Sequence, residues 1–277
     1  MGSLSTVAGA TPTIISRRPV AARGQNGPAG AFRMVTKVLA VVASHEPSGP
    51  TYASLLQQTV VPSRIIVADK IFPGERAGVR VRKAINFALE GVDLQSFDWF
   101  LRVDGDVVLP ADWIQRSVAT GADVIGRGGY ALLIRMGAFL AIGGRWPAVL
   151  KEDSFMVLKL ASMGYRISPY VVSPVFLRAP GRGTDRLRIN SFISDGYWNW
   201  KLGYEPVHAV YNSVSGAIRR KNPKFLLAIV GYFFAASIRM ERVDDDLARF
   251  VFRTQVRSLS RGLKRKGRVP DYSHVTG

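Results

Sequence analysis

The stretch Asp98-Trp-Phe-Leu-Arg-Val-Asp-Gly-Asp106 begins as a mostly apolar run and ends in two carboxylates. The run predicts a strand over 98–103, and the segment Pro110-Ala-Asp-Trp-Ile predicts that a helix starts soon afterwards. A strand followed by a helix is the repeating unit of a parallel sheet. Asp104 and Asp106 therefore stand where one strand of such a sheet ends.

Two earlier apolar runs predict strands of the same kind, over 37–43 and 64–68. Both are continuous and rich in β-branched residues, as expected of strands buried on both faces. Helical segments separate the predicted strands, so we expect an α/β fold with a Rossmann-like, mainly parallel sheet flanked by helices. Ligands of such sheets bind at the carboxyl ends of the strands, and Ser44, Asp69 and Asp104 all fall at such ends.

The composition limits the chemistry that the chain can perform. Its 277 residues include no cysteine and only 3 histidines, which excludes a disulfide scaffold, a zinc–thiolate site and a cysteine nucleophile. Carboxylates, arginines and hydroxyls remain as the candidate reactive groups. The formal net charge is +18, which is typical of proteins that bind nucleic acid or an anionic membrane surface.

The excess charge divides the chain into three predicted regions. Residues 1–33 contain four arginines and no acid, lack apolar periodicity and predict a disordered segment, although a targeting peptide or a start at Met34 would give the same pattern. Residues 34–214 hold the predicted α/β domain. Residues 215–277 contain 14 basic and 5 acidic side chains and predict a basic, amphipathic, helical extension that associates with a membrane.

The apolar segment 225–238 favours a membrane over nucleic acid as the partner of this extension. It has no charged residue, and as a helix it would be about 21 Å long, shorter than the roughly 30 Å hydrocarbon core of a bilayer. A second predicted helix, over 246–266, places Phe252 and Val256 on an apolar stripe among arginines. Nucleic-acid binding would favour aromatic residues interleaved with the charges, so we expect no nucleic-acid partner. We expect a peripheral, monotopic protein at the cytoplasmic face of the cell membrane.

The Asp104-Gly-Asp106 motif has the ligand chemistry of a divalent cation that bridges a diphosphate. Carboxylate oxygens suit Mg²⁺ or Mn²⁺, and phosphate oxygens can complete the coordination. A second motif of this kind, Asp244-Asp-Asp246, stands before a predicted helix, so we interpret it as a helix cap.

Other candidate site residues each have a functional and a structural interpretation. Glu152 and Asp153 open a predicted helix, where they either complement its dipole or supply a general base. Asp69 is either a turn residue or a hydrogen-bond acceptor for a nucleoside. The candidate diphosphate ligands include Arg82 and Arg182. His208 is either a third metal ligand or a packed side chain.

Several of these features, taken in order, resemble the inverting family 2 glycosyltransferases of the GT-A fold, and the likeness covers about residues 36–175. It includes Asn86 in the helix before the metal motif and Leu101-Arg-Val-Asp-Gly-Asp-Val-Val-Leu-Pro110 at the metal motif itself. The other matching stretches are Gln58-Thr-Val-Val-Pro-Ser-Arg-Ile-Ile-Val-Ala-Asp69, Phe139-Leu-Ala-Ile-Gly-Gly144, Glu152-Asp153 and Leu160-Ala-Ser-Met-Gly-Tyr165. Three later stretches look like the tail of membrane-associated members: Lys201-Leu-Gly-Tyr-Glu-Pro206, Gly231-Tyr232 and 249–258.

The resemblance implies a sugar transferase that depends on Mn²⁺ or Mg²⁺, takes a UDP- or GDP-sugar and modifies a lipid-linked or cell-surface glycan acceptor. By this likeness Asp69 contacts the base, and Ser44 and Glu46 line the nucleoside pocket. Asp104 touches the ribose or the metal, and Asp106 binds the metal. Asp153 is the implied catalytic base.

Two other functions compete with this interpretation. A sugar-phosphate nucleotidyltransferase shares the nucleotide-binding sheet, but it needs a Gly-rich, Arg-containing loop after the first strand, and 44–50 offers none. A non-enzymatic nucleic-acid-binding protein would use the basic extension.

Overall fold

The computed structural model describes residues 14–15, 36–44, 49–73, 77–126, 130–147, 149, 151–177 and 189–262. The chain forms two compact units. Unit 1 comprises Met1–Gly121, Gly128–Ala148 and Tyr170–Leu177, and unit 2 comprises Ala122–Arg127, Val149–Pro169 and Arg178–Gly277.

The strands and helices are numbered along the chain. The strands are β1 (Ile14–Ile15), β2 (Val38–Ala43), β3 (Arg64–Val67), β4 (Trp99–Asp104), β5 (Val107–Val108), β6 (Val124–Ile125), β7 (Ala131–Arg135), β8 (Ile167–Ser168) and β9 (Val175–Phe176). The helices are α1 (Pro50–Leu56), α2 (Ala77–Ala88), α3 (Trp113–Ala119), α4 (Met136–Ala141), α5 (Glu152–Ser162), α6 (Ile189–Lys201), α7 (Pro206–Arg219), α8 (Leu227–Ser237) and α9 (Asp245–Gly262). Short 3-10 helices span Leu94–Ser96 and Pro223–Leu226.

The sheet of unit 1 is built on three parallel strands, with β2 hydrogen-bonded to β3 on one side and to β4 on the other. Strand β1 pairs antiparallel with β3, and β7 pairs antiparallel with β4. All three parallel strands were predicted. Outside Ile14–Ile15, the segment 1–33 lies outside the described residues.

Burial of β2 explains why its sequence is apolar at every position. Residues 38–42 are at most 1% exposed, so side chains on both faces of the strand are covered. A strand in this position needs apolar residues on both faces, and β-branched valines also suit the pleated backbone. The α/β class predicted from the continuous apolar runs is confirmed.

Unit 2 contains a parallel strand pair, β6 with β8, and the helices α5 to α9. A buried cluster of Leu158, Leu202, Leu247 and Val251 joins α5, the end of α6 and α9. The predicted helix over 225–238 is a 3-10 turn followed by α8. Across the part of the chain that the structure describes, no helix is both long and apolar enough to cross a bilayer.

Candidate functional site

The carboxyl ends of β2, β3 and β4 meet at one edge of the unit 1 sheet. Ala43 is paired with Asp104, the last residue of β4, and Val42 is paired with Val67, the last residue of β3. Ser44 therefore follows directly after β2, and Asp69 comes two residues after β3. This register places three predicted nucleotide-binding residues at the same edge, as the α/β pattern predicted.

The turn from Asp104 to Asp106 is packed closely against the end of β2. Gly105 donates its backbone N–H to the Ala43 oxygen at 3.0 Å. A Cβ on Gly105 would lie 2.4 Å from the Ser44 Cβ and 2.5 Å from its Oγ, which no side chain could tolerate unless Ser44 moved. Only glycine fits between the two candidate carboxylates in this arrangement.

Helix α1 supports the same turn through Thr51, which is 1% exposed. The Thr51 hydroxyl donates to the Asp104 carbonyl oxygen at 3.3 Å and accepts from the Val107 N–H at 3.2 Å. On the other side, the Leu177 N–H donates to the Asp106 carbonyl oxygen at 2.9 Å. The backbone that carries both carboxylates is thus fixed from two directions, and nothing in the sequence singled out Thr51.

Arg102 adds a charge that the sequence interpretation missed. Its guanidinium Nη2 lies 2.6 Å from Asp104 Oδ1, and the Arg102 side chain is only 4% exposed. An arginine within an otherwise apolar strand was the available signal, because a buried charge requires a partner. The ion pair fixes one oxygen of Asp104 and directs its carboxylate.

Gln58 and Asn86, which the sequence analysis singled out by a resemblance to family 2 glycosyltransferases, bind backbone groups within unit 1. Gln58 is 3% exposed; its amide donates to the Pro110 oxygen at 2.7 Å, and its Oε1 accepts from the Ile114 N–H at 3.1 Å. Asn86 exchanges hydrogen bonds with the backbone of Trp146, at 2.9 and 2.7 Å. Both amides connect segments distant in sequence, and Gln58 anchors the chain that leaves the Asp104–Asp106 turn.

The remaining predicted residues lie at separate places. Arg82 is on α2 in unit 1, 8% exposed, and its Nε makes no hydrogen bond within the described ranges. Asp153 is the second residue of α5 in unit 2. Glu46 and Arg182 lie outside the described residues.

His208 lies on α7 in unit 2 and is 6% exposed. Its backbone N–H donates to Glu205 Oε2, while its Nδ1 has no hydrogen-bond partner among the residues described. Burial lowers the pKa of His208, and the Glu205 carboxylate opposes this effect only in part. No three carboxylate or imidazole groups of the described part of the chain are gathered as a metal cluster.

Lys151, which precedes the Glu152–Asp153 pair, has a left-handed backbone with φ of 59°. Its ammonium group donates to Asn199 Oδ1 at 2.8 Å and lies 3.4 Å from Asp195 Oδ1. Both partners belong to α6 of the same unit. These contacts hold the start of α5, and with it Asp153, against α6.

Comparison with known proteins gives distant structural likenesses only. No protein-family model matches the chain, and no curated protein sequence matches it. One similar solved structure is the mannosyltransferase PcManGT from Pyrobaculum calidifontis in complex with GDP-Man and Mn²⁺, which is 16% identical, with a TM-score of 0.40, over 84% of this chain and 76% of that one. Another is S. aureus TarS, 14% identical with a TM-score of 0.41. That likeness covers 87% of this chain and 55% of TarS, so the chain spans about half the length of TarS. Likenesses at this level concern the backbone in outline, and what the chain does rests on its own residues.

Proposed function

We propose that the chain is a metal-dependent, inverting glycosyltransferase of the family 2 type. It would move a sugar from a nucleotide-diphospho-sugar to a hydroxyl or phosphate acceptor on a lipid-linked or cell-surface glycan. The observation that carries the proposal is the sheet edge of unit 1, where Ser44, Asp69 and Asp104 lie at the carboxyl ends of three adjacent parallel strands. Different residues support the proposed donor binding, metal binding and catalysis.

The sheet edge suits a nucleoside diphosphate. Asp69 offers a carboxylate acceptor for a base N–H or a ribose hydroxyl. Arg82, on α2 of the same unit, is proposed as a guanidinium ligand of the diphosphate. The proposed donor is a UDP- or GDP-sugar.

Asp104 and Asp106 fit a hard divalent cation, Mn²⁺ or Mg²⁺, by their chemistry. Both supply carboxylate oxygens on a turn whose backbone is fixed by Thr51 and Leu177. When bound, the cation would neutralise charge on the departing diphosphate. His208 is proposed as a third ligand because an imidazole nitrogen is a common ligand of divalent metal ions.

Asp153 is the proposed catalytic base. It would accept the proton of the acceptor hydroxyl as that oxygen bonds to the anomeric carbon and the bond to the diphosphate breaks. The contacts of Lys151 with α6 support this role, since they fix the start of the helix that carries Asp153.

We propose that the protein acts at the cytoplasmic face of the cell membrane. Helix α8 and its C-cap expose apolar side chains, including Val230 at 58%, Phe234 at 51% and the C-cap residue Ile238 at 54%. Exposed cations precede and follow it, among them Lys224 and Arg239. Apolar residues between cations suit the interface of an anionic membrane better than nucleic acid.

Donor binding tests the proposal directly. Nucleoside diphosphates and their sugars are titrated calorimetrically into the wild-type protein and Asp106→Ala, each with and without Mn²⁺. We expect Asp106→Ala to abolish the metal dependence of binding. The control Asp112→Ala removes a half-exposed carboxylate that pairs with Arg116 and should leave binding unchanged. Binding that stays metal-dependent in Asp106→Ala would contradict the metal site.

Asp153→Asn tests the base separately. We expect it to retain donor binding and to lose sugar transfer, measured as acceptor-dependent release of the nucleoside diphosphate. An equal loss of donor binding would overturn the assignment of Asp153 as the base.

A further inference from the structure

A cavity of about 330 Å³ lies in unit 2 beside the first turns of α9. Its charged lining consists of Arg242, Asp245, Arg249 and Arg253, and Phe252 forms an apolar wall. We call this cavity the arginine pocket. None of the residues assigned to donor binding or catalysis lines this pocket.

Three guanidinium groups line the arginine pocket against one carboxylate. Arg249 also binds Asp246 at 2.6 Å, but both side chains are largely exposed, so water screens that pair. The N-terminal end of α9 adds a partial positive charge. The balance of charge in the pocket therefore favours an anion.

Arg242 is positioned before any ligand arrives. Its guanidinium carbon lies 3.4 Å from the centroid of the Trp200 ring. Trp200 Nε1 donates to the Met240 oxygen at 2.8 Å, and the Val243 N–H donates to the Lys201 oxygen at 3.1 Å. These two bonds tie the segment that carries Arg242 to the end of α6, so little side-chain entropy remains to be lost on binding.

The charge of Arg242 is incompletely compensated. Its Nη1 is buried and has no hydrogen-bond partner among the described residues. Burial lowers the pKa of Arg242, although Tyr232 and Asp245 oppose this effect. An anion beside this guanidinium would lower that cost by balancing its charge, because a partly buried cation is more stable when it is paired. Guanidinium groups bind phosphate oxygens in a bidentate manner.

An apolar surface borders the pocket on its helix. Phe252 is 45% exposed, and Val256, one turn further along α9, is 42% exposed. A ligand that binds the arginine pocket and also contacts Phe252 and Val256 would carry a phosphate next to a hydrocarbon chain. Free phosphate or a nucleic acid would leave Val256 unused.

We propose that the arginine pocket binds the phosphate group of a membrane lipid, with Phe252 and Val256 against its hydrocarbon chain. This site goes beyond the proposed sugar transfer and does not depend on it. It makes association with the membrane selective for lipids with a terminal phosphate monoester rather than for negative charge in general.

Vesicle binding by the full chain tests the proposal, without any nucleotide-sugar. Flotation compares phosphatidylcholine vesicles that contain phosphatidic acid, a phosphate monoester, with phosphatidylcholine vesicles of the same net charge that contain phosphatidylglycerol, a phosphate diester. We expect Arg253→Gln to weaken binding to the phosphatidic acid vesicles about tenfold, the effect of losing one charge-assisted hydrogen bond. Arg242→Gln should do the same, and because Arg253 is exposed, its variant reports on binding even if Arg242→Gln folds poorly.

Arg257→Gln is the matched control, since it removes the same charge from an exposed position of α9 outside the pocket. We expect it to weaken binding less than about twofold. Equal weakening by Arg257→Gln and Arg253→Gln would overturn the proposal of a specific pocket. It would mean that the basic surface of α9 attracts the vesicles without a defined site. Inorganic phosphate that binds as tightly as the vesicles, with Phe252→Ser having no effect, would overturn the lipid as ligand. A single-stranded oligonucleotide that outcompetes the vesicles would overturn it as well. Because donor binding is measured separately, none of these three results bears on the proposed transferase activity.

Discussion

Gly105 shows how one residue can fix the spacing of two carboxylates. It lies between Asp104 and Asp106, and its Cα approaches Ser44 so closely that a methyl group has no space. The conflict involves the Ser44 Cβ, which is tied to the backbone, and the Ala43 oxygen at 3.1 Å. Neither atom can move without shifting the end of β2.

We expect Gly105→Ala to lower the free energy of unfolding by about 1–3 kcal/mol, the usual cost of overpacking. It should also weaken donor binding, because the turn must move away from Ser44. Urea denaturation followed by fluorescence measures the first effect and calorimetry the second. Gly137→Ala is the control, since nothing lies within 4 Å of its Cβ position on α4, and it should be neutral or stabilising. An equal loss of stability in both variants would contradict the argument.

The positions of some candidate site residues could be predicted from the sequence, and those of others could not. Asp69 and Asp104 follow apolar runs, so the end of each strand located them without knowledge of the tertiary structure. Arg102 and Thr51 act through partners that are close only after folding, and a single sequence carries no register between strands. Gln58 was visible as part of a motif, but its physical role, binding the backbone at Pro110 and Ile114, was not.

The crossing of α6 and α8 depends on two glycines. A Cβ on Gly196 would lie 2.0 Å from the Ala228 oxygen, and one on Gly231 would lie 2.0 Å from the Ile193 oxygen. The two helix backbones are thus in direct contact at this point. Small residues are what allow such an approach.

We expect Gly196→Ala to destabilise the protein by about 3 kcal/mol, because the obstructing atom is backbone and one helix must move. Gly216→Ala on α7 is the graded control. Its Cβ would meet the Phe225 ring at 3.0 Å, and a side chain can rotate away, so the loss should be about 1 kcal/mol or less. Thermal unfolding of both variants measures the difference, and a Gly196→Ala protein as stable as Gly216→Ala would refute the close crossing.

Asp244 begins α9 and also binds α5, as its place in the Asp244-Asp-Asp246 run predicted for a cap. Its Oδ1 accepts from the Leu247 N–H at 2.9 Å, and its Oδ2 accepts from the Lys159 ammonium group. Burial by itself raises the pKa of Asp244, but these hydrogen bonds outweigh it and hold that pKa below the usual value of 3.8. The folded state therefore binds a proton less readily than the unfolded state. The stabilisation is present above that usual value and is lost as the pH falls through the folded-state pKa.

We expect Asp244→Asn to keep the cap but lose the ion pair, at a cost of about 1 kcal/mol near neutral pH. The difference from wild type should shrink as the pH falls below 3.8. Urea denaturation at neutral and acid pH measures it. Asp246→Asn, which disrupts an exposed pair with Arg249, should change stability little at either pH. A difference between Asp244→Asn and wild type that is independent of pH would exclude the ion pair as its source.

Helix α9 shows that hydrophobic periodicity does not determine which face of a helix packs against the core. The sequence pattern predicted an apolar stripe that includes Phe252 and Val256, and both side chains are exposed. The stripe that packs into unit 2 is formed instead by Leu247, Val251 and the fully buried Gln255, whose Oε1 accepts from the Glu205 N–H at 2.7 Å. Both stripes repeat every four residues, so periodicity predicted the helix but could not say which stripe faces the core.

At the scale of the whole molecule, the charge of +18 has more than one use. Arg102 neutralises a site carboxylate and Arg242 stacks on Trp200, so a part of the excess is structural. The proposed donor and lipid sites would use further arginines. Net charge alone could not separate nucleic acid from membrane, whereas the apolar residues exposed beside the charges favour a membrane.

The exposed apolar residues of α8 and its C-cap Ile238 allow the membrane proposal to be tested apart from charge. In the double variant V230S/I238S, two side chains that are 58% and 54% exposed become polar, so the fold should be unaffected. We expect binding to anionic vesicles to weaken about tenfold or more, since each side chain gains about 1 kcal/mol on entering the interface. The matched control V61S/I71S changes the same residue types in unit 1, at 49% and 64% exposure, and should bind as the wild type does. Vesicle flotation at low and high salt measures both variants. If V230S/I238S binds like the wild type and salt alone releases the protein, then α8 does not enter the membrane and charge is the only attraction.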